Sequence, residues 1–324
     1  MKIIQFLKNW ALILSMVAGV SAYFIYVNVP FLRAMRPFFK GAVGILQPLL
    51  IFAMLFLAFC KISPKKLRLC KWHLWLLLFQ VGTFVLLSVI LILLPHSGMR
   101  VVIEGAMICL ICPTATAGAI ITKKLGGNAS GLATYTILIN LVVALLVPAL
   151  LPFVHPHPDQ TWWNASAMIL GKVFPLLLLP LFAAILLRYL SPRLHFIVSR
   201  HQELSFYLWT IALALATVVT VRSVMHSEVG FLTEIWLVIV SLVCCLAQFY
   251  IGRKIGLRYN TPISASQSLG QKNTVLAIWM GYAFFTPVTS IVGGFYSIWH
   301  NLVNSYQLYR QKKRKEREDH PVVQ

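Results

Sequence analysis

The sequence predicts an all-α polytopic membrane protein: ten transmembrane helices forming two inverted repeats of five, with helices 4 and 9 discontinuous. Three observations predict it. Of 324 residues, 59% are hydrophobic and only 11% charged, more apolar surface than a soluble domain of this size can hide. Apolar stretches of about 18 to 25 residues, each long enough to cross a hydrocarbon core of ~30 Å, recur along the chain. The cations alternate from loop to loop. Without water to satisfy backbone groups in the bilayer core, helices are the spanning form.

The spans fall near 10–28, 39–60, 72–94, 101–122, 130–153, 165–189, 203–224, 232–252, 262–284 and 286–308. The first begins "MKIIQFLKNWALILSMVAGVSA", with the charged start and small-residue end of a signal peptide. It is read as a helix, because the apolar run continues through "YFIYV" and cleavage would leave nine spans and an unmatched half. If spans alternate, Lys2, Lys8, Lys61, Lys65, Lys66, Arg68, Lys71, Lys123, Lys124, Arg188, Arg193, Arg200, Arg253, Lys254, Arg258 and the tail "RQKKRKERE" fall on one side. Arg33, Arg36, Lys40, Arg100 and Arg222 fall on the other. The excess places both termini in the cytoplasm and supports an even number of spans. The net charge of +20 is therefore a topology signal with no nucleic-acid partner, and 309–324 reads as a basic cytoplasmic tail facing lipid headgroups.

Cys60, Cys70, Cys109, Cys112, Cys244 and Cys245 suggest neither a disulfide framework nor a zinc site. Cys109 and Cys112 read C-x-x-C, but one turn apart and without a polar neighbourhood they indicate packing. No acid pair lies within a span, and no G-x-S-x-G, H-E-x-x-H or phosphate loop is present, so no enzyme is expected.

Two spans are interrupted, by "CPTATAG" at 112–118 and "QSLGQKN" at 267–273, with Pro113, Gly118 and Gly270 as the breaking residues. Each is the fourth helix of its set of five, and matched discontinuous helices point to a transport site at the bilayer midplane. The bland alternative is a pair of ordinary kinks, since Pro and Gly are common in membrane helices. Thr114, Thr116 and Thr122 flank the first break, with Thr134, Thr136 and Asn140 on the following helix. Ser264, Ser266, Gln267, Ser268, Gln271, Lys272, Asn273 and Thr274 surround the second. Such polarity is costly in lipid unless it faces inward.

The run "CPTATAG", the downstream "GGNASGLATYTILINLVVALLVPAL", "GQKNTVLA" at 270–277 and "GGFYSIWHNLVNS" at 293–305 resemble the bile acid:sodium symporter family. There a "CPGGTASN"-like break in helix 4, a "GxQNxxLA"-like break in helix 9 and a "WHN" in helix 10 recur at these separations. The resemblance implies discontinuous helices 4 and 9 crossing in a core domain, a panel against which that core moves, an organic-anion substrate, and for a divergent member of bacterial type, the bacterial inner membrane. Family sodium ligands are missing: a glutamate is replaced by Ser268, a glutamine by Lys272, a serine–asparagine pair by Gly118 and Ala119, and a hydroxyl by Leu132. Thr136 and Gln80 remain at matching places, and Asn273 keeps the substrate side.

The eight acids, Glu104, Asp159, Glu203, Glu228, Glu234, Glu316, Glu318 and Asp319, are expected in loops, tail or helix ends, leaving no midplane carboxylate. Loss of sodium coupling follows, with no cofactor and no metal. Lys272 has three candidate roles: a tethered cation donating to helix C-terminal carbonyls and to Gln80 or Thr136, a titrating group coupling protons, or a direct anion ligand. Lys172 is expected to snorkel, and His300, Asn301 and Asn304 to bond structurally between helices. The expected function is sodium-independent transport of a small or amphipathic organic anion. The alternatives are a sodium- or proton-coupled symporter and a channel-like or non-transporting relic; substrate identity and oligomeric state are left open.

Overall fold

The computed structural model describes residues 10–156, 159–227 and 229–319. Lys2, Lys8, Glu228 and residues 320–324 of the expected tail lie outside the described residues. Among the described residues the chain has no strand and a single isolated backbone bridge.

In chain order the helices are α1 (Ala11–Asn28), α2 (Pro30–Ala34), α3 (Arg36–Cys60), α4 (Lys71–Leu93), α5 (Arg100–Ile111), α6 (Gly118–Lys124), α7 (Ala129–Val154) and α8 (Trp162–Leu177). They continue with α9 (Leu179–Leu190), α10 (Pro192–Arg200), α11 (Gln202–Met225), α12 (Phe231–Leu257), α13 (Pro262–Gly270), α14 (Thr274–Phe284) and α15 (Ile291–Asp319). Six are long and apolar enough to cross a membrane: α1, α3, α4, α7, α11 from Leu204 onward, and α12. The pair α8 and α9, bent by 40°, makes a seventh if it is one span. The chain is an all-helical, multi-pass membrane protein.

The bend falls at Leu178, two residues before Pro180, whose ring nitrogen cannot donate to the preceding turn. After residue 308 helix α15 continues through the basic stretch to Asp319. No Gly or Pro interrupts 295–319, the stretch is rich in good helix formers, and Lys312 meets Glu316 one turn on at 3.7 Å. Lys172 is exposed on α8.

Small residues set the closest helix approaches. A Cβ at Gly19 of α1 would lie 2.5 Å from the Ala214 carbonyl oxygen of α11. On α12, Cβ atoms at Gly252 and Gly256 would each lie 2.6 Å from a carbonyl oxygen, of Ala265 and Thr261 respectively, so α13 rests directly on the α12 backbone. Helix α12 also packs on α5 and α15, and α4 packs on α5 and α7. The ends of α5 and α13 are thereby enclosed by helices on several sides.

Candidate functional site

Helix α5 stops at Ile111 because Pro113 forces the preceding residue out of the helical region, and Cys112 is extended at φ −51, ψ 133. Helix α13 stops at Gly270, and Gln271 is extended at φ −84, ψ 111. The two extended segments run antiparallel and pair. Asn273 N donates to Pro113 O at 2.9 Å, and Ala115 N donates to Gln271 O at 3.0 Å, around the Thr114–Lys272 bridge. Each break thus satisfies backbone groups that the other exposes.

Side chains close the end of α5. The carbonyl oxygens of Cys109, Leu110, Ile111 and Cys112 accept in turn from Gln248 Nε2 (3.1 Å), Lys272 Nζ (3.1 Å), Gln80 Nε2 (3.1 Å) and Gln80 Nε2 again (3.2 Å). These are the carbonyls a helix C-terminus leaves unpaired, and they carry the negative end of its dipole. Lys272 is 1% exposed and supplies the one formal positive charge among them.

The end of α13 is closed from the other side. Thr114 Oγ1 donates to Ser268 O at 2.6 Å, and Tyr296 OH donates to Gly270 O at 2.8 Å. Asn273 caps α14 by accepting from Leu276 N at 3.2 Å, and its own carbonyl accepts from the Cys112 thiol at 3.0 Å. A Cβ at Gly118, the first residue of α6, would lie 3.2 Å from Gln271 Oε1.

Several expectations need correcting. Lys272 bonds neither Gln80 nor Thr136: Gln80 is occupied by the α5 carbonyls and by Tyr135 OH (2.5 Å), and Thr136 donates to Leu132 O on its own helix. Cys109 and Cys112 do have a polar neighbourhood: the Cys112 thiol donates to Asn273 O, and Gln248 Nε2 donates to Cys109 O. Glu104 is in the second turn of α5 and 1% exposed; Arg100 Nε lies 2.9 Å and His155 Nε2 3.2 Å from its Oε1, while Thr289 Oγ1 donates to its Oε2. It stands about 12 Å along the helix from the break, at 1.5 Å per residue. Among the described residues His300 makes no hydrogen bond to another helix: its buried Nδ1 has no partner, and its ring meets Tyr296 edge-on. Asn301 bonds Ser297 of its own helix, whereas Asn304 does accept across helices from Gln267.

Of the remaining candidates, Thr274 and Gln271 are buried, and Thr116 is half-buried. The Ser268 hydroxyl is buried without a hydrogen-bond partner. Gln248, Tyr135 and Tyr296 were not anticipated, and the lone glutamine of Gln248 in the apolar run of α12 was the available signal. Among the described residues no group of three or more His, Cys, Asp or Glu could hold a metal ion. No family model matches the chain, and no curated protein matches it.

Proposed function

We propose that the chain is a secondary transporter of a small or amphipathic organic anion, working by alternating access with Lys272 in place of a coupling sodium ion. The observation that carries this reading is the buried Lys272 ammonium bonded to Leu110 O where two broken helices pair. A cation bound at helix C-termini neutralises their dipoles, and a lysine does the same from a covalent tether. A tethered cation cannot run down a gradient, so transport proceeds without sodium.

On this reading α5 with α6 and α13 with α14 are the fourth and ninth of ten spans, in two inverted repeats of about 1–155 and 160–308. Helices α4–α7 and α12–α15 act as the core, and α1, α3, α8, α9 and α11 as the panel. The Asn273 amide, Thr274 and Thr116 face the substrate. Both termini are cytoplasmic, in a bacterial inner membrane. The resemblance of 112–118, 270–277 and 293–305 to motifs of the bile acid:sodium symporter family supports the assignment.

The test is counterflow in proteoliposomes. Vesicles loaded with a mixture of organic anions are diluted into labelled anion, in sodium and in choline. Saturable counterflow that is equal in both media is expected. Linear, non-saturating flux would make the protein a channel, and none with any anion would make it a relic.

A further inference from the structure

Three arginines from three helices line one cavity at the end of the bundle that carries the α1–α2 and α11–α12 turns. Arg33 of α2, Arg36 at the first position of α3 and Arg222 in the last turn of α11 share it with Tyr23, Tyr26 and Val27 of α1 and with His226. Its volume is about 150 Å³, well beyond the ~15 Å³ that one water requires.

Among the described residues the charge is one-sided. Among the described residues no carboxylate pairs with Arg33, Arg36 or Arg222; Glu104 pairs with Arg100 and Glu316 with Lys312. Among the described residues none of the three guanidinium groups has a hydrogen-bonded protein acceptor, although Arg100 on α5 bonds both Pro95 O and Val154 O. Like charges gathered around a cavity repel one another and favour an anion between them. Three planar forks offer more donors than the two oxygens of a carboxylate can accept, and a phosphate presents more oxygens to fill them. The walls are mixed: Tyr23 OH lies 3.4 Å from His226 Nδ1, and Phe24, Phe31 and Phe38 stand exposed nearby in sequence. Cations bordered by exposed aromatic and apolar residues are the composition of a membrane–water boundary.

We propose that this cavity binds a phosphate group, carried either by a phospholipid or by a free anion. The site is separate from the crossing at Lys272 and does not depend on the transport reading.

The test uses the full chain purified in a nonionic detergent, beside the R33Q/R36Q/R222Q variant. Native mass spectrometry measures retention of phosphatidylglycerol against a diacyl glycolipid without phosphate, and thermal unfolding is followed with inorganic phosphate against chloride at equal ionic strength. Phosphatidylglycerol retention falling at least about tenfold in the variant, with glycolipid retention unchanged, supports the site with a lipid source. Saturable stabilisation by inorganic phosphate that the variant loses, without lipid preference, supports it with a free anion as the source. If wild type and variant respond alike in both measurements, the proposal is overturned. Should the triple variant not stay monodisperse, R36Q alone gives the same readouts, because Arg36 is exposed and holds no bond whose loss would unfold the chain.

Discussion

Lys272 Nζ donates to the Leu110 carbonyl oxygen across 3.1 Å, so a side chain from one broken helix caps the end of the other. The backbone pairing between the same segments fixes its approach: Asn273 N on Pro113 O and Ala115 N on Gln271 O hold the lysine's own main chain beside α5. Local breaks made by Pro113 and Gly270 thus become one long-range contact.

The sign of the charge at Lys272 is the first thing to vary. Lys272→Met removes a charge-assisted bond but also the cost of a buried ammonium, opposing effects that leave the net change within about 1.5 kcal/mol. Lys272→Glu turns a carboxylate toward the α5 carbonyls and costs about 3–5 kcal/mol. Thermal unfolding in detergent measures both, and equal losses would contradict the account.

Thr114 and Thr116 separate a structural hydroxyl from a free one. Thr114→Val leaves the buried Ser268 carbonyl without its 2.6 Å donor and is expected to cost about 1–3 kcal/mol. Thr116→Val, at a half-buried side chain with no hydrogen bond among the described residues, leaves stability unchanged while lowering anion uptake if this face meets substrate. Unfolding and uptake measured on both variants decide it.

Glu104 joins α5 to Arg100, to His155 at the end of α7 and to Thr289. Glu104→Gln removes the one carboxylate that Arg100 and the His155 ring share. Because Arg100 stays about a quarter exposed and keeps two backbone acceptors, the cost is expected at about 2–4 kcal/mol, below that of a fully buried broken pair. A thermal midpoint equal to wild type would show that the cluster does not bind these elements together.

At the α9–α10 corner, burial and then the Arg188 charge hold the His195 imidazole below its ordinary value, and Arg188 Nε donates to its Nε2 at 3.3 Å. A histidine with a depressed folded pKa contributes stability that is present above its unfolded value near ~6.5 and lost as pH falls through the folded value. Hydrogen-exchange protection of 188–200 is therefore expected to drop on acidification below about pH 6.5. His195→Phe should remove that dependence; its persistence would assign it to another group.

Much of the helical order is legible in the sequence, because apolar run length and the breakers Pro113 and Gly270 act locally. Where the breaks meet is less so. Their polarity predicts burial, but not that Gln80 would occupy the α5 carbonyls and leave Lys272 to Leu110, since that depends on the relative placement of α4, α5 and the second break. Glu104 near a helix start was legible, but not that His155 and Thr289 return to it in space and make its burial tolerable. Gln248 and Tyr296 act on backbone carbonyls of distant helices, a pairing that a hydropathy profile does not record.

The most direct test of the central claim titrates sodium against choline at constant ionic strength, following thermal stability and tryptophan fluorescence, with Trp279 on α14 as a nearby reporter. Wild type and the Lys272→Gln, Ser268→Glu double variant are measured side by side. The account predicts no sodium response in the wild type and a saturable one in the variant, where the tethered charge is gone and a carboxylate is restored. Saturable stabilisation of the wild type by sodium would contradict it.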